Sequence, residues 1–212
     1  MTITMRKSVN ATTTRTANPR VITVDLARWP LKDVINDTKT RAWCGPTAIA
    51  SITGKPISVV RNAFRFVRFG DRWLNFPRST AIVGVTMWEV QAVLKTFGLT
   101  GHWETLTRQP TLASWLEDRV GLCRIHPTIV HVTGHFVAIS AWEFCDTFSR
   151  GYVVDAEEAP GRRKRVKDVF VITGFTAPAS AIPSKQRSAE QLTCAKSCRT
   201  GQTIDGILAK SR

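Results

Sequence analysis

The spacing of apolar positions changes character along the chain. Between residue 44 and about residue 120 they recur at helical intervals, and from about 127 to 174 they come in short extended runs. Residues 21–26 alternate like a strand that Trp29-Pro30 breaks, and residues 31–42 are a polar approach to the first helix. That helix spans Cys44–Thr53, with Ala48, Ile49 and Ile52 inward, and stops at Gly54 and Pro56. A second spans Ile57–Phe69. Its Val59, Val60, Phe64 and Val67 repeat at helical spacing, while Arg61, Arg65 and Arg68 share another face, read as a solvated stripe. Residues 70–84 form a long loop carrying Trp73, Phe76 and Pro77, of a length suited to walling a groove. Thr86 with Glu89 three residues on is a capping box, opening a helix that carries Val90, Val93, Leu94 and Phe97 before Gly98 ends it.

Residues 111–120 give one more helix, and strands follow at 127–132, 135–142, 151–155 and 166–174, with turns at Gly134 and Pro160-Gly161. Helices first and a mostly antiparallel sheet afterwards is an α+β arrangement. Three regions result: a flexible basic arm at 1–20, a folded domain at 21–175 and a basic tail at 176–212, the last without period until a short apolar patch at 204–208. No internal repeat and no Gly-rich phosphate loop interrupts this plan.

Charge is placed unevenly. The formal net charge is +14 over 212 residues, yet residues 42–160 are nearly neutral, so the excess sits on the two flanks. Flanks of that kind either hold nucleic acid or an acidic protein through counterion release, or are simply solvated. Seven Trp and a 43% apolar share argue for a packed core rather than a disordered chain. There is no secretory signal and no stretch near the ~20 apolar residues of a membrane span, so a cytoplasmic protein in a reducing compartment is expected. Its five cysteines, 44, 123, 145, 194 and 198, are then free thiols. Cys194 and Cys198 have no further ligands beside them to complete a zinc site.

Cys44 stands where a loop enters an apolar helix. Unpaired N–H groups and the positive end of the helix dipole stabilise a thiolate there. His135, in Gly134-His135-Phe136-Val137-Ala138-Ile139, and Asp155, ending Tyr152-Val153-Val154-Asp155, follow in the order of a cysteine hydrolase. Cys44 would attack, His135 would carry the proton and Asp155 would orient the imidazole, with Asp146 as the fallback orienter. Against this stands a plain packed cysteine at a Gly-Pro helix entrance. His131 competes for the base role, but on an extended strand four residues at about 3.3 Å each hold it about 13 Å from His135, too far to share a zinc ion unless Gly134 bends the chain back. The run Arg162-Arg163-Lys164-Arg165 is either a solvated hairpin tip or a means of drawing acidic substrate toward the cleft.

The segments Trp43-Cys44-Gly45-Pro46-Thr47-Ala48, Gly134 to Ile139, and Tyr152 to Asp155 with the later Val169-Phe170-Val171 resemble a papain-like cysteine peptidase over residues 36–175. The likeness is to the branch that includes bacteriocin leader-processing peptidase domains of export transporters and small stand-alone relatives, some encoded by tailed bacteriophages. It implies a Cys on the central helix of a helical half packed on an antiparallel sheet that carries the His and Asp. It also implies a peptide or protein substrate, no cofactor, and location in a bacterial or phage-infected cytoplasm, with the virion as a second location. The family usually places a Gln shortly before the nucleophile to complete the oxyanion hole. Residues 36–43 contain none, so either Asn36 or Thr38 substitutes or the hole is deficient. Deamidation and amide transfer use the same triad. A catalytically degenerate binding or virion-associated protein working through its basic flanks is the alternative.

Overall fold

Trp43 is extended (φ −100°, ψ 158°), and from the next residue the chain winds into α1, Cys44–Thr53. Gly54 ends the helix at φ 65°, a left-handed conformation that favours glycine, with its N–H on the Ala50 carbonyl. The structure is a computed structural model and describes residues 25–178. The basic arm, most of the 21–26 strand, the tail from residue 179, and Cys194 and Cys198 lie outside the described residues.

Helix α2 runs Ile57–Phe69 and α3 runs Met87–Thr96, both at the expected bounds. Thr86 Oγ1 accepts from the Glu89 N–H and Glu89 answers to the Thr86 N–H, so the capping box is formed. Helix α4, Leu112–Asp118, is capped by Thr111, and a short α5, Leu122–Ile125, follows it. The strands are β1 Leu99–Thr105, β2 Thr128–Val132, β3 His135–Ser140, β4 Glu143–Cys145, β5 Val154–Asp155 and β6 Val166–Phe175. They form one antiparallel sheet in the order β1-β6-β2-β3-β4-β5, so the architecture is α+β.

Period-two alternation divides the sheet between two cores. Ile129, Phe136, Ala138, Phe170 and Ile172 pack with α1, α2 and α3, whereas Val130, Val137, Ile139, Val169 and Val171 pack with α4. Helix α1 is therefore central, buried from Gly45 to Ile52. Gly45 is required by proximity: a Cβ there would lie 2.3 Å from Val85 Cγ2, so the loop before α3 rests directly on the start of α1.

The arginines of α2 correct one expectation. They share a face, but Arg61 and Arg65 are 7% and 9% exposed rather than solvated. Arg61 donates to Thr38 Oγ1, Thr40 Oγ1 and the Arg41 carbonyl, and Arg65 donates to the Thr80 carbonyl and Asn62. Arg68 pairs with Glu89. Long aliphatic stems let all three lie on the helix surface while their heads satisfy loop carbonyls, so the stripe fastens the loops on either side of it.

Candidate active site

Residues far apart in sequence meet where the N-terminus of α1 abuts the start of β3. Cys44, first in its helix, is half-buried, and the groups that act on its sulfur are the His135 ring and the Phe136 and Gly45 N–H groups. Gly45 sits in the first turn of the helix, where its N–H lacks an intrahelical acceptor, so the sulfur uses a donor the helix leaves over. Burial by itself pushes the thiol up. The His135 hydrogen bond, the Phe136 N–H, the charge on His135 and the Gly45 N–H outweigh that, and the net pKa is below the ordinary thiol value.

His135 is buried. Burial pulls its pKa down, but hydrogen bonds to Asp146 and Cys44 and the charges of both reverse the sign, and the net value is above that of a free imidazole. The two opposite shifts favour the thiolate–imidazolium pair.

Asp146, and not Asp155, holds the ring. Its Oδ2 lies 2.9 Å from His135 Nε2, and the carboxylate is fully buried. Oδ1 accepts from the N–H groups of Phe148 (2.8 Å) and Ser149 (2.7 Å), and Ser149 Oγ returns to the Asp146 backbone. Asp146-Thr147-Phe148-Ser149 is thus a side-chain-stapled turn directly after β4, a signal present in the sequence as an Asp three residues before a Ser. Asp155 is exposed and accepts from the Glu157 N–H at 2.8 Å, capping the turn Ala156–Glu158. It pairs with Glu143, which pairs with Ser140, the end of β3 opposite to His135. The three-residue β4 separates the two strands, which is why sequence order alone misplaced the partner.

The hydrogen bonds of Asn36 and Thr38 run within their own loop and to α2. Thr38 Oγ1 bonds Asn36 Oδ1 at 2.7 Å, Asn36 Nδ2 donates to the Thr40 carbonyl at 3.3 Å, and Thr38 receives Arg61 at 3.1 Å. Both side chains shape the 36–40 loop. Phe148 covers the imidazole (ring centroids 4.8 Å apart) while remaining 56% exposed, and Lys164 Nζ stands 4.6 Å over the Phe148 ring. The basic run therefore reaches the edge of the site through Lys164.

The remaining histidines and thiols are otherwise occupied. His131 Nδ1 is 2.9 Å from Asp168 and stacks on Phe136, His102 pairs with Glu104, and His126 meets the Ile172 carbonyl. Cys123, buried beside Glu104, has its thiol pushed up to about 12, and burial raises that of Cys145. Among the described residues no cluster of His, Cys, Asp and Glu suits a metal ion, and no helix is long and apolar enough to cross a membrane.

No protein-family model and no curated protein matches the chain. Among solved structures it is similar to the N-terminal peptidase C39-like domain of the toxin secretion ATP-binding protein from Vibrio parahaemolyticus. The identity is 9% and the TM-score 0.35, over 64% of this chain and 99% of that domain. The chemistry of the site rests on its own geometry.

Proposed function

We propose that this chain is a papain-like thiol hydrolase that cleaves a peptide or isopeptide bond through Cys44, His135 and Asp146. The observation that carries the reading is the buried Asp146 carboxylate 2.9 Å from Nε2 of His135, the same imidazole that acts on the Cys44 thiol at the start of α1. The Cys44 thiolate attacks the acyl carbon, and the Cys44 N–H at the helix start faces the oxyanion that develops. The His135 imidazolium gives its proton to the leaving nitrogen, the C–N bond breaks and a thioester remains. Water then attacks the thioester with His135 taking its proton, which releases the acid and restores the ion pair. An amine in place of water would make the same machinery an amide transferase, and a side-chain amide as substrate would make it a deamidase.

A second reading, a degenerate papain-like binding or virion-associated protein, is favoured by one observation: the hydrogen bonds of Asn36 and Thr38 serve their own loop, and no side chain is seen to join the Cys44 N–H as a second oxyanion donor among the described residues. The deciding experiment is the pH dependence of Cys44 alkylation by iodoacetamide, read by peptide mapping, in the wild type, His135→Ala and Cys44→Ser. A rate that plateaus below the pH of an ordinary thiol and collapses in His135→Ala supports the hydrolase. A rate that follows an ordinary thiol in both proteins sinks it.

A further inference from the structure

Beside Trp43 opens a cavity of about 830 Å³ between the 37–43 segment, α2 and the loop at 79–82. Its charged lining is Lys39, Arg41, Arg61 and Arg65 against a single acid, Asp37. Asp37 is already spent, since one oxygen accepts from the Ser58 N–H and the other from Ser58 Oγ at the start of α2. Among the described residues neither Arg61 nor Arg65 has a carboxylate in ion-pair contact, whereas Arg68 on the same helix face has Glu89.

As whole residues Arg61 and Arg65 are about nine-tenths buried, and their charges repel each other. Their partners are neutral hydroxyl, amide and carbonyl oxygens, and Arg61 Nε has no partner at all. Only Nε and Nη1 of Arg65 are engaged, which leaves the Nη2 donors for whatever enters the cavity. Asp37 acts on Arg61 at longer range than an ion pair, whereas the only charge acting on Arg65 is the like charge of Arg61, so an anion supplied from outside offsets the cost of burying Arg65.

Position decides which anion. Trp43, next in sequence to the nucleophile, lines the cavity, and Arg41 stacks over its ring at 5.5 Å. A cavity one residue away from Cys44 is placed to take part of a molecule whose scissile bond is presented to that thiol. We infer that the cavity is a subsite for an acidic side chain of the peptide substrate, its carboxylate taken by Arg65 in the positive field of Arg61, Lys39 and Arg41. This rests on the hydrolase reading above.

The test uses two sets of amidated peptide alkylating agents, one with an N-terminal chloroacetyl group and one with a C-terminal chloromethyl ketone, so that both directions from the sulfur are sampled. A single Glu, Gln or Lys is walked through each position, and Cys44 alkylation of the full chain is followed by peptide mapping. Each rate is divided by the same protein's iodoacetamide rate. At one position Glu is expected to exceed Gln about tenfold or more, with Lys slowest, as for a charge-assisted hydrogen bond. Arg65→Gln is expected to abolish that preference. Should Arg65→Gln fail to fold by circular dichroism, the exposed Arg41→Gln and Lys39→Gln are each expected to reduce it.

Equal rates for Glu and Gln at every position in both sets overturn the subsite. A Glu preference untouched by Arg65→Gln, or by both exposed variants, also overturns it. The ratio is readable even for a thiol of ordinary pKa, so failure of the subsite and failure of the hydrolase reading are separate outcomes.

Discussion

Asp146 takes His135 by Nε2 at 2.9 Å, so the ring nitrogen left for Cys44 is Nδ1. The tautomer and the orientation of the ring are set by one buried carboxylate, and that carboxylate is itself fixed by the Phe148 and Ser149 N–H groups. Orientation of the base is thus built into a turn and does not depend on a mobile side chain.

Replacing that carboxylate should separate the two candidate acids. Asp146→Ala is expected to slow Cys44 alkylation at neutral pH by about tenfold or more, the worth of one unit in pKa. It should also cost about 1–3 kcal/mol in urea unfolding, because two N–H donors lose their acceptor. Asp155→Ala should leave alkylation unchanged, since that side chain caps only the Glu157 N–H. Loss of reactivity in Asp155→Ala with none in Asp146→Ala would reverse the assignment.

The pH profile of acylation should be bell-shaped. The thiolate appears as pH rises through the lowered Cys44 value, and the imidazolium is lost as pH rises further through the raised His135 value. The two limbs belong to the coupled pair. Alkylation, which needs only the thiolate, should rise on the acid side and then hold. Stopped-flow measurement from pH 4 to 10 checks both shapes.

Gly45→Ala would ordinarily stabilise a helix by about 1 kcal/mol. Here the added methyl meets Val85 Cγ2, so the variant should lose stability and displace the start of α1. Val85→Ala should restore much of the loss in the double variant, a coupling that a double-mutant cycle by chemical denaturation reads directly.

Glu89 serves α3 and α2 together, accepting from the Thr86 N–H and hydroxyl and from Arg68. Glu89→Ala should cost about 1.5–3 kcal/mol, against about 1 kcal/mol for the cap alone in Thr86→Ala. The same unfolding titrations give both values, and equal losses would show that the Arg68 contact contributes nothing.

The helices were legible because each carries its own punctuation: Gly54 and Pro56 after α1, Thr86 and Glu89 before α3. Strands β2, β3 and β6 were legible from dense apolar runs. Strand β1 was not, because Gly101, His102 and Glu104 interrupt its pattern and its pairing to β6 shifts register near Gly101. Cys44 and His135 could be named from local context, since a helix entrance and a post-glycine strand start are local features. The acid beside His135 was legible only as the second choice, Asp146 after Asp155, because the order of the two depends on which short strand lies beside β3. The fate of Arg61 and Arg65 was hidden for a similar reason: spacing tells which face a side chain occupies, and only the fold tells what loop is laid over that face.

Strand β6 comes last among the described elements yet lies inside the sheet, between β1 and β2. During synthesis Cys44 and His135 therefore emerge well before the strand that completes the sheet behind them. A nascent chain ending short of residue 166 has β1 unmoored and β2 with one edge unpaired. The interior of the sheet is thus completed by the part of the domain that is made last.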